Sequence, residues 1–189
     1  MQVYPDHPAA ETVTTMLTKN INCPQTSSMG RLFDAAAGLL EVNSIQSHEA
    51  QAAIQLQQLA EQHGEVAVLA EGFRITENND LDFSSLLSAM VDCHDTKHNI
   101  SYAAALFHGT LIEGLAAWVE KAVSQHDISQ LALGGGCFHN SVLRHGLINR
   151  LATPSFHLFS AQRVQPDDSA IALGQAWVAL RYNTGSISD

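Results

Sequence analysis

Apolar residues recur at helical spacing through the first two thirds of the chain and predict a largely helical protein. The pattern predicts helices over residues 12–19, 30–40, 49–62 and 84–92. The longest periodic run starts at Ile100 and predicts a helix of about seven turns with a single apolar stripe. Between these helices, residues 66–75 and 81–83 flank the turn Asn78-Asn79-Asp80 and predict a small hairpin.

The pattern changes in the last third of the chain. Residues 128–133 form a short apolar run that ends in Gly134, Gly135 and Gly136, and helical spacing resumes directly after the glycines. A second strand-like segment, residues 156–159, leads into the acidic turn 165–169. Asp168 is placed to cap a last helix, whose apolar residues are Ile171, Leu173, Ala176, Trp177 and Leu180.

These elements predict an α/β chain that is predominantly helical. The division we expect is a loose lead-in over residues 1–14, a helical region with a small hairpin over 15–127, a strand–glycine loop–helix–strand–helix unit over 128–182, and a polar tail over 183–189.

The glycine loop is the feature that most clearly suggests ligand binding. Glycine lets the backbone approach an anion without a Cβ in the way, and the N–H groups of a helix start point toward it. The spacing, however, fits neither a Walker loop nor the dinucleotide-binding fingerprint. A tight structural turn therefore stays open as the alternative, and a simple N-cap is the alternative for Asp168.

Composition and charge narrow the possible functions. The content of 46% hydrophobic and 15% charged residues is that of a folded globular protein, and no apolar run approaches the ~20 residues of a membrane span. The net charge of −10, with no basic cluster, argues against nucleic acid as a partner. Cys23, Cys93 and Cys137 are widely spaced and unpaired in pattern, which favours a reducing cytoplasm.

Several polar residues have both a structural and a functional interpretation. Asp34 lies inside a predicted helix, either as an exposed charge beside Arg31 or as an acceptor for a ligand hydroxyl or amine. Cys93, His94 and His98 lack a fourth ligand at zinc spacing, so a metal site there is disfavoured.

Four further residues lie on the long helix or near the glycine loop. His108 is predicted to be a hydrogen-bonded core histidine, and Cys137 to be a packing residue despite its place at a helix start. His139 and Arg144 follow the loop, where they either meet a phosphate or remain solvated.

The order of several segments resembles the C-terminal part of the hydrogenase maturation carbamoyltransferases (HypF type). The segments are Gly135-Gly136-Cys137-Phe138-His139-Asn140, Val164-Gln165-Pro166-Asp167-Asp168, Ala172-Leu173-Gly174-Gln175-Ala176, Thr26-Ser27-Ser28 with Gly30-Arg31-Leu32-Phe33-Asp34, and Phe107-His108. The resemblance implies the second lobe of an actin-like (ASKHA) nucleotide-binding fold, with residues 15–127 as a helical insertion. It also implies a C-terminal fragment of a larger enzyme, inactive alone, with Met1 as an artificial or truncated start.

The resemblance implies what the complete enzyme does. It would convert carbamoyl phosphate and ATP to carbamoyl adenylate and carbamoylate the C-terminal cysteine of its partner HypE, for the cyanide ligand of nickel-iron hydrogenase. A divalent metal, zinc or iron, would assist in the terminal domain. A tRNA threonylcarbamoyl transferase-type protein and a non-catalytic HypE-docking module are the alternatives. Truncation of a lobe would expose apolar surface, so self-association is also expected.

Site residues follow by matching positions in the family's motifs. Asp34, Glu49 and Asn140 match nucleoside contacts, Gly135 and Gly136 match the phosphate-approach loop, and Asp168 matches the acidic metal ligand. For Glu49 the alternative is a favourable charge in a helix first turn. This chain departs from the family pattern at Gly134 (commonly Ser), at Ser169-Ala170 (usually Gly-Gly), and at Ala50 (usually Gly).

Overall fold

A computed structural model describes residues 8–43, 45–64, 67–95, 100–152 and 156–183 of the chain. The helices are α1 (Ala10–Thr18), α2 (Met29–Leu39), α3 (Gln51–His63), α4 (Ser84–Asp95), α5 (Ile100–His126), α6 (Ser141–Arg150) and α7 (Ile171–Asn183). The strands are β1 (Arg74–Ile75), β2 (Leu81–Asp82), β3 (Gln130–Leu133) and β4 (His157–Ser160). The predicted α/β, mainly helical composition is confirmed.

The predicted elements all occur, with shifted ends. Helix α1 begins at Ala10, so part of the expected loose lead-in is helical, and α5 extends to His126. Helix α3 begins at Gln51, so Glu49 precedes it and does not lie in its first turn. Residues 1–7 of the lead-in and residues 184–189 of the tail fall outside the described residues. So do the side chains of His94 and His98, which belong to the disfavoured metal site.

Helix α5 is the centre of the fold. All residues from Ala103 to Ile112 are buried, and helices α3, α4 and α6 pack around them. The main core cluster joins α5 to Phe33 of α2, Leu56 of α3 and Met90 of α4. Within the described residues α5 is long and apolar enough to span a membrane, but 67% of its apolar window is buried inside the protein, as expected of a core helix.

The hairpin packs closely against α5. Strands β1 and β2 are antiparallel, with Arg74 opposite Asp82 and Ile75 opposite Leu81. A Cβ on Gly114 would lie 2.8 Å from the Phe83 ring, so glycine is required where the hairpin end meets the helix. Trp118 fixes the turn by donating its Nε1–H to the Asn79 carbonyl at 2.7 Å.

Strands β3 and β4 are parallel, and this places two loops together. Leu133 pairs with Ser160, so both strands end at the same edge. The glycine loop follows β3 and the acidic turn follows β4, and the carboxyl edge of parallel strands is where such loops form binding sites.

Helix α7 is exposed along its whole length. None of its residues is buried, and Leu173, Trp177 and Val178 are 61%, 60% and 57% exposed. A groove of about 660 Å³ with an almost entirely apolar lining, which includes Ile171, Val178 and Tyr182, runs along it. The described residues therefore leave an apolar helix uncovered.

Ala50 has a left-handed backbone, and this predicts a stabilising substitution. The residue precedes α3 with φ 60° and ψ 10°, a conformation that costs an L-residue about 1–2 kcal/mol. Glycine has no such cost but gains freedom in the unfolded chain, so we expect Ala50→Gly to raise the stability by about 0.5 kcal/mol. That is a rise of about 1–2 °C in Tm.

The matched control for Ala50→Gly lies on an exposed helical position. Ala35→Gly in α2 should lower the stability by about 1 kcal/mol, because that backbone is ordinary helix. Thermal unfolding by circular dichroism measures both variants. Equal destabilisation by the two would show that Ala50 carries no backbone strain.

Candidate functional site

A cleft of about 1190 Å³ lies where four segments of the chain converge. They are the N-terminal half of α2, the loop 46–50 with the start of α3, the glycine loop with the turn after it, and the acidic turn. The lining side chains that carry charge or can accept a proton are Arg31, Asp34, His48, Glu49, His139, Asp167 and Asp168.

The cleft brings together residues from distant parts of the sequence. Asp34, Glu49, Gly136, Asn140 and Asp168 all line it. Gly135 is the single predicted site residue that does not, although it is adjacent to Gly136 in the chain. Arg144, the other cation considered for phosphate contact, is not among the lining residues of this cleft.

The glycine loop has a conformation that requires glycine at one position. Gly135 has φ 112° and ψ 151°, a region that is essentially closed to residues with a Cβ. Its N–H donates to the Pro166 carbonyl and so joins the glycine loop to the acidic turn. That N–H is therefore used within the protein, and Gly136 is the loop glycine that faces the cleft.

The sequence pattern predicts that the helix begins directly after the glycines, and the structure differs on this point. A 3₁₀ turn, Gly136–His139, comes first, and α6 starts at Ser141. Asn140 caps α6, because its Oδ1 accepts from the Leu143 N–H at 3.0 Å. Asn140 thus belongs both to the cleft lining and to the helix cap.

The acidic turn gives its two aspartates different roles. The prediction that Asp168 caps the last helix is wrong: Asp167 accepts from the Ser169 N–H at 2.9 Å, and Asp168 begins a 3₁₀ turn before α7. Asp167 also accepts from His139 Nε2 at 2.7 Å. Hydrogen bonds from Ser169 and then His139 lower the pKa of the Asp167 carboxyl to about 2.

The two aspartates differ in the hydrogen bonds that they accept, although both line the cleft. Asp167 is committed to the turn and to His139, which places the exposed Asp168 as the carboxylate available to a ligand. The sequence analysis did not select Asp167. An Asp whose side chain bonds the backbone two residues later is a known turn signal, but the adjacent Asp168 could have served in the same way.

Asp34 is held at the edge of the cleft by its neighbour. Its Oδ2 lies 2.8 Å from Arg31 Nη2, one helical turn away. The Asp34 side chain is only 23% exposed, whereas that of Arg31 is 71% exposed. The carboxylate pairs with Arg31 and also lines the cleft, and its role as an acceptor for a ligand stays a prediction.

Cys137 and His108 behave as predicted. Burial, and then the negative charge of Asp34, raise the pKa of the Cys137 thiol, which packs against the core. A thiol held protonated in this way is a packing residue and a poor nucleophile. His108 is fully buried and hydrogen-bonded to the Ala104 carbonyl oxygen.

The described residues do not make a metal centre by themselves. No three His, Cys, Asp or Glu side chains within the described ranges come close enough to hold an ion. Asp168 offers one carboxylate, and catalytic metals require about three protein ligands. The described residues therefore do not form a complete site for the implied zinc or iron, and Asp168 could supply only one of its ligands.

Comparisons with known proteins identify the family of the chain. The family model described as "Carbamoyltransferase, Kae1-like Domain, second subdomain" matches residues 2–175. The chain belongs to this family. The resemblance to the HypF type stated from the sequence is confirmed, and the Kae1-like subdomain makes up nearly the whole chain.

Relatives of this Kae1-like subdomain are longer proteins. Carbamoyltransferase HypF2 of Cupriavidus necator is 36% identical over 94% of this chain, which spans 25% of that relative. A carbamoyltransferase HypF homolog of the same organism is 38% identical over 95% of this chain, which spans 47% of it. A crystal structure of full-length HypF in the phosphate- and nucleotide-bound form superposes with a TM-score of 0.80 and 27% identity, over 93% of this chain and 23% of that one.

Proposed function

We propose that this chain is the nucleotide-binding C-terminal part of a HypF-type carbamoyltransferase, the second lobe of an actin-like (ASKHA) fold. The observation that carries the proposal is the cleft itself. Residues separated by up to 140 positions, from Ser28 to Asp168, line one concave site at the carboxyl edge of the parallel strands.

The chemistry of the lining suits a nucleoside. Asp34 and Glu49 supply carboxylate oxygens that accept from ribose hydroxyls or from the exocyclic amine of adenine. Asn140 adds an amide, and Gly136 lets the phosphates approach the backbone. The structure of full-length HypF with phosphate and nucleotide bound supports the ligand class, since its fold is shared by this chain.

The charges of the cleft indicate what must accompany the phosphates. Asp34, Glu49, Asp167 and Asp168 face a single guanidinium, that of Arg31, so the lining is acidic overall. ATP phosphates would be repelled unless a cation offset their charge. Asp168 would be one ligand of a divalent metal whose other ligands come from outside the described residues.

The complete enzyme would use carbamoyl phosphate and ATP, via carbamoyl adenylate, to carbamoylate the C-terminal cysteine of HypE in the cytoplasm during nickel-iron hydrogenase maturation. This chain would contribute the nucleotide site to that reaction. The relatives it matches are about two to four times as long, since it spans 47% and 25% of them.

One observation favours a second candidate function. The uncovered apolar helix α7 is the kind of surface that a partner protein binds, so a HypE-docking module without chemistry is the alternative. The tRNA threonylcarbamoyl transferase alternative is disfavoured by the net charge of −10.

Calorimetry of ATP binding to this chain, with and without Mg²⁺, tests the nucleotide proposal. We expect binding by the wild type, and a loss of at least tenfold in affinity for Asp34→Ala, or about 1.4 kcal/mol, because a charged hydrogen-bond acceptor is removed. Asp80→Ala, in the exposed hairpin turn, is the matched control and should bind as the wild type does. A folded wild type that does not bind ATP would exclude the nucleotide site and leave the docking module.

A further inference from the structure

His108 lies directly behind Asn140, in the core between α5 and the start of α6. Its side chain is fully buried, and its Nδ1 lies 2.7 Å from the Ala104 carbonyl oxygen. Because a carbonyl oxygen can only accept, Nδ1 carries the proton and Nε2 carries the lone pair. Asn140 Nδ2 lies 2.9 Å from that Nε2 and donates to it.

These contacts fix the orientation of the Asn140 amide without ambiguity. Its Oδ1 accepts from the Leu143 N–H at 3.0 Å, and one of its Nδ2 hydrogens goes to His108. A flipped amide would set Oδ1 against the His108 lone pair and an N–H against the Leu143 N–H. These two bonds use Oδ1 and one of the two Nδ2 hydrogens. The second Nδ2 hydrogen of Asn140, which lines the cleft, remains as a donor.

The imidazole of His108 also contacts the helix that carries Asp34. The ring of Phe33, one residue before Asp34, meets the His108 ring edge-on at 5.6 Å between centroids. Phe107 meets the same ring at 5.5 Å and 90°. His108 is therefore fixed on several sides, and it stands between the elements that supply Asp34 and Asn140.

We infer that His108 is a positioning residue for the nucleoside site: it holds the Asn140 amide so that one N–H is presented to the cleft, and it sets the spacing between Asn140 and α2. The inference rests on the proposed nucleotide function for its role in affinity. The hydrogen-bond geometry itself does not depend on that function.

The protonation state of His108 agrees with this role. Burial, the largest influence, lowers the pKa of the imidazole, while the bond to Ala104 and the charge of Glu61 act in the opposite direction. A lowered pKa keeps the ring neutral at neutral pH, and the neutral ring is the form that accepts from Asn140.

Nitrogen NMR of the wild-type chain is the first test and needs neither a variant nor a ligand. We expect His108 to show a protonated Nδ1 and an unprotonated Nε2, with the two Asn140 side-chain N–H resonances separated and slow to exchange. A protonated Nε2 would overturn the inference, because Asn140 then has no acceptor there.

Two substitutions of His108 separate positioning from packing. His108→Gln keeps an acceptor that can reach Asn140, whereas His108→Leu keeps the bulk and removes the acceptor. We expect the Leu variant to lose the protection of the Asn140 side-chain N–H groups from exchange with solvent and the Gln variant to retain it. Unchanged Asn140 resonances in a folded Leu variant would overturn the inference.

ATP affinity then connects positioning to function. We expect His108→Leu and Asn140→Ala each to weaken ATP binding about tenfold, and the double variant to bind no more weakly than Asn140→Ala alone. His108→Gln should stay within about threefold of the wild type. Additive losses in the double variant would overturn the inference.

The two proposals fail in distinguishable ways. Absence of ATP binding by a folded wild type, with the Asn140 resonances still dependent on the His108 acceptor, would refute the nucleotide function and support the positioning of Asn140. Circular dichroism and thermal unfolding of each variant confirm that the comparisons are made between folded proteins.

Discussion

We expect Gly135→Ala to weaken ATP binding by about tenfold to a hundredfold and Gly134→Ala to leave it unchanged. The backbone of Gly135 is in a region that costs a residue with a Cβ of the order of 1–3 kcal/mol. The alanine can relieve this strain only by moving the loop, which breaks the hydrogen bond to Pro166 and displaces Gly136 from the cleft.

Comparing Gly135→Ala with Gly134→Ala separates the effect of backbone conformation from the effect of an added Cβ. Open space surrounds both positions, so an added Cβ meets no neighbour within 4 Å at either glycine. The left-handed φ of Gly135 is the relevant difference. Calorimetry measures the affinities, and thermal unfolding should show Gly135→Ala to be the less stable variant by about 1–3 kcal/mol. Equal results for the two variants would contradict the importance of the loop conformation.

We expect the chain to self-associate through α7 and charged residues on this helix to convert it into a monomer. Leu173 and Trp177 lie on one face of the helix and are 61% and 60% exposed, while Ile171 and Val178 line the apolar groove on another. Contiguous apolar surface of this kind drives association. We expect Leu173→Lys with Trp177→Lys to weaken self-association at least tenfold.

Ile45→Lys is the matched control for the α7 variant. Ile45 is 78% exposed but stands apart from α7, and scattered apolar residues on a surface are ordinary. Sedimentation velocity at several concentrations measures the association constant of each protein. A wild type that remains monomeric at every concentration would contradict the prediction, whatever the variants do.

Hydrophobic periodicity predicted the helices well because each apolar stripe is a local property. It did not predict where α3 and α7 begin, because capping and turn residues determine the helix ends. Helix α3 starts two residues late since Ala50 takes a left-handed backbone that nothing in an alanine side chain signals. Helix α7 starts after a turn capped by Asp167, and two adjacent aspartates give the pattern no way to choose between them.

The cleft was predictable only in part. Asp34, Glu49 and Asn140 were selected by resemblance to a family, and neither spacing nor periodicity brings residues so far apart together. The bond between His108 and Asn140 joins residues 32 positions apart on different elements, so it was invisible to local patterns. That His108 is a hydrogen-bonded core residue was predicted, but its partner in the cleft was not.

The central position of α5 has a consequence for synthesis on the ribosome. Nearly all of the main core cluster comes from residues between Phe33 and Ile112, whereas the smaller cluster joins the later part of α5 to Leu147, Leu151 and Phe156. An emerging chain can thus form most of its helical core before strands β3 and β4 are synthesised. The cleft, which needs the glycine loop and the acidic turn, forms last.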